Sequence, residues 1–326
     1  MITFSGTAYL ALDRHPQMQT WVAEGLSRYG LHYGGSRRSS LAPEVYSAAE
    51  AWLAEWTGAP AALLVGSGSL AGQWVTRQLQ AWGYILHYSP STHPALWRNG
   101  GQHHYNWASW QAAAHIPDSA MLTDAINPLT LSQPSWPEPF MTDANSYLVV
   151  DDSHGIGLLG EHARGHWSTL HPKWPGRLII TASLGKALSM PAGLILGECE
   201  LIDTLRESPY FGGASPPPPA YIHALLQAEK LIREQWQQLQ YLIDYFQRQR
   251  PSEIRVNSVP GFPVFGTPDH YLASHLLAQG FALSSFQYPG PADPCYTRVV
   301  LRADHTTRQI DRLFSAWKRV FGHTAD

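Results

Sequence analysis

The chain has 326 residues, a formal net charge of -3, 44% apolar residues and 14% charged ones. That length can bury the core of two units, or of one large α/β unit with an appendage. The near-neutral charge gives no electrostatic reason to expect nucleic acid or an anionic membrane as a partner. No apolar run approaches the roughly 20 residues of a membrane span. Charged residues fall below the usual share, so part of the surface is expected to lie under a partner subunit. The many Trp and Tyr residues either line a pocket or an interface, or fill core. Two cysteines, Cys199 and Cys295, are too few for a disulfide framework or a zinc cage. The opening run MITFSGTAYLALDRHP lacks a basic region followed by an apolar one, so a secretory signal is not expected. Together these features predict a cytoplasmic protein.

Residues 1–40 read as an N-terminal segment. Over residues 43–56, Val45, Ala48, Ala49, Trp52, Leu53 and Trp56 share one helical stripe, which Gly58 and Pro60 end. A buried strand is expected at 61–67 and a helix at 69–82. Further strands are expected at 84–89, 146–153, 177–183 and 192–198. Several of these runs are apolar without strict alternation, as in strands covered on both faces. Strands alternating with helices predict a mostly parallel sheet. The run SPPPP at 215–219 breaks the chain, and one long helix is then expected to reach Arg250, stopped by Pro251. Short strands near 262–267, 281–286 and 297–303, with an amphipathic helix over 307–321, form a smaller α+β unit. The expected division is therefore 1–40, a large domain 41–250 and a small C-terminal domain 251–326.

Three stretches could carry chemistry. In VGSGSLAG a strand ends in small residues and a helix begins; free amides at a helix N-terminus suit a phosphate, though such turns also occur with no ligand. In VVDDSHGIGLLGEHARG two aspartates close an apolar strand, which puts at least one carboxylate at the sheet edge where ligands bind in open α/β sheets, unless both serve the turn. The glycines that follow do not fit a dinucleotide loop, since the acidic residues precede them. In TASLGKALSMPAG a single lysine, Lys186, stands among small and apolar residues. It lies either on a solvated turn or in a desolvated site, where a lowered pKa would make it a nucleophile. A phosphate seat, an acid and a lysine, each after a strand, are the groups that pyridoxal phosphate needs.

These stretches carry a family resemblance. The runs YLALDRHPQ, YGLHYGGSR, AEAWLAEWTGAPAALLVGSGSLAGQ, STHPAL, VVDDSHGIGLLGEHARG, SLGKAL and RVVLRADHTTRQIDRL occur in one order from Tyr9 to Leu313. In them the chain resembles the α-oxoamine synthase branch of the fold-type-I pyridoxal-phosphate enzymes, within the class I/II aminotransferase superfamily, and most closely its 8-amino-7-oxononanoate synthases. The resemblance implies a seven-stranded, mostly parallel sheet with helices on both faces and a smaller α+β domain. It implies pyridoxal 5'-phosphate held by Lys186 as a Schiff base, with Lys186 also moving the Cα proton. Asp151 would face the pyridine nitrogen, His154 the phenolic oxygen, and His93 would stack on the ring. The amides of Gly68, Ser69 and Leu70 and the Ser183 hydroxyl would hold the phosphate. Ser215 would reach the phosphate of the neighbouring subunit of a homodimer, and Arg298 would clamp the substrate carboxylate or else serve a structural ion pair. The remaining histidines, including His103 and His104, read as satisfied core or surface residues. An aspartate at about 4 Å, at an effective dielectric near 20, favours a protonated ring nitrogen by roughly 4 kcal/mol.

The pattern also departs from the family. The N-terminal segment that helps bind an acyl thioester is not found. Thr7-Ala8 stands in place of an asparagine, Tyr46 in place of a histidine and Ala192-Gly193 in place of a Gly-Gly pair. Asn127-Pro128 stands where a Ser-Met-Asp-Gly run is usual, and FQYPGPADPCYTR replaces the Pro-Pro-Thr substrate loop. Groups that hold the cofactor survive, while those that hold substrates have changed. The expectation is a transferase that condenses a small α-amino acid with an acyl donor. An aminotransferase, a Cα–Cβ lyase or aldolase, and a non-catalytic protein that kept the fold remain alternatives.

Overall fold

The structure is a computed structural model and describes residues 1–134, 146–174, 177–269, 271–288 and 290–322. Residue 289 of the replaced substrate loop and residues 323–326 of the expected C-terminal domain lie outside the described residues. Seven strands form the central sheet: β2 (Ala61–Val65), β3 (Ile85–Tyr88), β4 (Gln102–His103), β5 (Ser119–Asp124), β6 (Tyr147–Asp151), β7 (Leu178–Ser183) and β8 (Gly193–Gly197). Their spatial order is β2-β8-β7-β6-β5-β3-β4. β3 to β7 run parallel to their neighbours, whereas β8 is antiparallel to both β7 and β2. The apolar runs follow from burial on both faces. Leu148, Val150 and Ile180 point into one apolar cluster with Leu53 and Ile222, while Val149 and Ile179 point into another with Val75 and Ile202. Helices therefore cover both sides, as α/β layering requires.

Five more strands build a second sheet: β1 (Ile2–Phe4), β9 (Asn257–Ser258), β10 (Val264–Thr267), β11 (Phe281–Gln287) and β12 (Cys295–Val300), in the order β1-β11-β12-β10-β9. β1 runs parallel to β11, so the first residues of the chain join a sheet whose other strands come from its end. Among the described residues no helix is long and apolar enough to cross a membrane.

Two expectations differ from the fold. The long helix divides into Pro219–Gln227 and Glu229–Gln249. At Ala228 the amide bonds the Leu225 carbonyl three residues back, which tightens the turn with no glycine or proline to mark it. β5 was also not expected as a strand: SAMLTD is short and mixed in character, yet every residue of it is buried.

Candidate active site

The C-terminal ends of the parallel strands bring the candidate residues to one edge. Asp151 ends β6 and pairs in register with Asp124, which ends β5, and with Thr181 of β7. Two buried carboxylates thus lie on adjacent strands, about 4.8 Å apart in backbone spacing. Asp151 Oδ1 accepts the Ser153 amide at 2.9 Å, and Asp124 Oδ1 accepts the His93 amide at 2.9 Å. Lys186 follows β7 and lines a cavity of about 480 Å³ together with Asp124, His93, His154 and Arg298. Burial pushes the Lys186 ammonium below its ordinary value, against the opposing pull of Asp151 and Asp124. Burial, reinforced by the Asp151 charge, pushes the Asp124 carboxyl well above the usual range. His154 is held well below its usual value by burial and by the Lys186 and Arg298 charges, so its ring is neutral.

The expected phosphate seat meets the same sheet edge at Ser183, the last residue of β7. The helix Gly68–Ala81 begins there with Ser67 as its cap. Gly68 lies directly against Ser183: a Cβ on it would come 2.7 Å from Ser183 Cβ and 2.8 Å from Ser183 N. Gly193 supports the loop from β8, where a Cβ would come 2.1 Å from the Ser67 carbonyl oxygen. The Leu70 amide is a correction to expectation, because the Ser67 hydroxyl already accepts it at 3.1 Å. Gly68 and Ser69 keep the first two amides of the helix, which have no intrahelical acceptor. The Ser183 amide is bonded to Ser153 Oγ at 2.8 Å, which ties the β6 and β7 ends together. Gly193→Ala is expected to displace Ser67 and Gly68. Overpacking of this kind costs about 1–3 kcal/mol, and phosphate affinity should fall more than stability. Comparing melting temperature with phosphate-ester binding checks this.

Arg298, on β12, is buried, and its Nη1 donates to the Pro128 carbonyl at 2.6 Å. Its guanidinium lies over the Phe286 ring at 4.9 Å, and its buried Nε has no hydrogen-bond partner among the described residues. The altered stretch at 127–128 thus touches this arginine, which itself closes the altered stretch 286–298. His93 is locked as expected residues rarely are: its Nδ1 accepts the Ala95 amide at 3.1 Å, and its Nε2 meets the Tyr288 hydroxyl at 2.9 Å. Ser215 is not brought to this cavity. It is exposed, with its carbonyl beside Gly66 in its own chain.

The sequence reading missed Asp124, Tyr9 and Tyr288. It also left open which aspartate of DDSH was structural. Asp152 is: its carboxylate accepts the His166 amide and pairs with His166 Nδ1, both at 2.8 Å. A Cβ on Gly155 would fall 1.9 Å from Asp152 Oδ1, so the glycines after the acids make room for that ion pair.

A family model described as aminotransferase class I and II matches residues 138–316. The chain belongs to that family. Among its relatives, 8-amino-7-oxononanoate synthase of Methylococcus capsulatus is 27% identical over 342 residues, covering 97% of this chain and 88% of the relative. Serine palmitoyltransferase of Sphingomonas wittichii superposes with a TM-score of 0.84 at 16% identity, over 99% of this chain and 88% of its own. A serine palmitoyltransferase solved with pyridoxal phosphate as its internal aldimine superposes with a TM-score of 0.79 at 16% identity, over 98% and 88%. The fold of this class I and II aminotransferase family member is therefore that of the fold-type-I enzymes, as the sequence implied.

Proposed function

We propose that this chain is a pyridoxal-phosphate-dependent transferase that joins a small α-amino acid to an acyl donor, releasing carbon dioxide. The observation that carries the reading is the convergence of Lys186, Asp151 and the Gly68–Ser183 cradle on one sheet edge. The relatives support the same chemistry. The residues present fit the cofactor: close packing at Gly68 and Gly193 sets the helix start against Ser183, and the Gly68 and Ser69 amides there have no intrahelical acceptor.

Pyridoxal phosphate, when bound, supplies an electrophilic aldehyde and a ring that accepts electrons from Cα. Lys186 supplies the amine for attachment and the base for the Cα proton, both of which benefit from a lowered pKa. Asp151, fixed by the Ser153 amide, would hold a proton on the ring nitrogen. His154 would meet the phenolic oxygen, and His93 would pack against the ring. Gly68, Ser69 and Ser183 would hold the phosphate, while Arg298 would offer its Nε, which has no partner among the described residues, to the substrate carboxylate. Phe286, Trp97 and Pro128 wall the cavity. A homodimer, with Ser215 of one protomer at the phosphate of the other, completes the proposal.

The family match keeps an aminotransferase as the second reading. Incubating the cofactor-loaded protein with each amino acid separates them. A condensing enzyme should exchange the Cα hydrogen for deuterium, and release thiol and carbon dioxide only when an acyl thioester is added. Stoichiometric release of a keto acid without acyl donor would favour transamination. A chain that takes up no pyridoxal phosphate would sink both.

A further inference from the structure

We propose that Tyr9 is a positioning residue that fixes His154 as the tautomer with its hydrogen on Nε2, facing the cavity. The proposal deepens the cofactor reading above and rests on it for its catalytic consequence. Tyr9 comes from the N-terminal segment and is 2% exposed. Its hydroxyl lies 2.9 Å from His154 Nδ1, and its ring meets Phe262 edge-on at 5.6 Å.

The direction of that bond follows from counting donors. A buried phenol that keeps its proton must place it on an acceptor. Burial holds the Tyr9 phenol above its ordinary value, so the proton stays. Arg298, whose charge acts on Tyr9, has only donors. Among the described residues the side-chain partner of the Tyr9 hydroxyl is His154 Nδ1. If Nδ1 carried the hydrogen instead, it would donate to Tyr9 and the phenol hydrogen would be buried with no acceptor, at a cost the first arrangement avoids. The ring is neutral, held so by burial and by Lys186, Arg298 and His93. A neutral ring that accepts at Nδ1 carries its hydrogen on Nε2. His154 lines the cavity, so the arrangement turns that Nε2–H into a preset donor for an anionic oxygen of the ligand. The Tyr9 carbonyl is itself fixed by the Ala303 amide at 2.9 Å, so the segment cannot drift away from the small sheet.

The test is Tyr9→Phe in the full chain, which keeps the ring contact with Phe262 and removes only the hydroxyl. Nitrogen NMR of histidine-labelled protein without cofactor, with His154 assigned by difference from His154→Asn, should show wild-type Nδ1 as an acceptor and Nε2 protonated. Tyr9→Phe should show the two tautomers in exchange. With pyridoxal phosphate added, the pH at which the bound cofactor changes colour should rise by about one unit in Tyr9→Phe, because a donor to the phenolate is weakened. Turnover should fall about tenfold, with KM little changed. A His154→Asn background should erase the effect of Tyr9→Phe. A wild-type ring protonated at Nδ1, or a signature unchanged by Tyr9→Phe, would overturn the assignment. Because the tautomer is read before cofactor is added, a chain with the expected signature that binds no pyridoxal phosphate would sink the cofactor reading and leave this one standing.

Discussion

Lys186→Ala should abolish the covalent, borohydride-reducible attachment of pyridoxal phosphate and lower turnover by about 10⁴-fold or more, since it removes both the attaching amine and the general base. The site makes Lys186 suited to both tasks. It emerges just beyond β7 into a cavity shared with Asp124, and burial there disfavours the ammonium form. Asp151 and Asp124 pull the other way, so the amine remains protonatable, as a group that both takes and returns a proton must be. The attachment rate should accordingly rise with pH through an inflection below the ordinary lysine value of 10.5. Asp124→Asn should move that inflection lower still, because it removes an acid that favours the charged amine. Mass spectrometry after borohydride reduction checks the first point. An adduct that persists in Lys186→Ala would refute the assignment of this lysine.

The groups that could be read in the sequence lie where local pattern and chemistry coincide. Lys186, Asp151 and His154 each follow an apolar run, and the sheet edge collects them because parallel strands raise their C-terminal ends together. Asp124 could not be found the same way. Its strand shows neither alternation nor a long apolar run, and the acid matters only through register with Asp151. Tyr9 and Tyr288 come from segments far away in the chain, so their contacts with His154 and His93 exist only in three dimensions. Leu70 was expected at the phosphate because the helix start is plain in sequence. Which amide its cap would take was not, since Ser67 and Ser69 are equally good capping residues on paper. The turn at Ala228 leaves the apolar period of the flanking helices intact, so no spacing signal could reveal it.

Asp151→Asn should retain cofactor binding yet lose most exchange of the substrate Cα hydrogen, by about 10³-fold, because an amide cannot hold the ring nitrogen's proton as a carboxylate does. That figure corresponds to roughly 4 kcal/mol for opposite charges at about 4 Å and an effective dielectric near 20. Phosphate contacts at Gly68 and Ser183 are untouched, so the two functions separate. The neighbouring acid supplies a second, opposite consequence. Burial, reinforced by the Asp151 charge, holds the Asp124 carboxyl well above its ordinary value, so neutralising Asp151 should lower the Asp124 pKa and favour its ionised form one strand away. Residual exchange in Asp151→Asn should then depend on Asp124, falling further in the double variant, while Asp124→Asn alone costs much less. Deuterium exchange at Cα, measured by proton NMR, reads the loss and its dependence on Asp124 in one set of proteins. Unchanged exchange in Asp151→Asn would show that the ring nitrogen takes its proton from elsewhere.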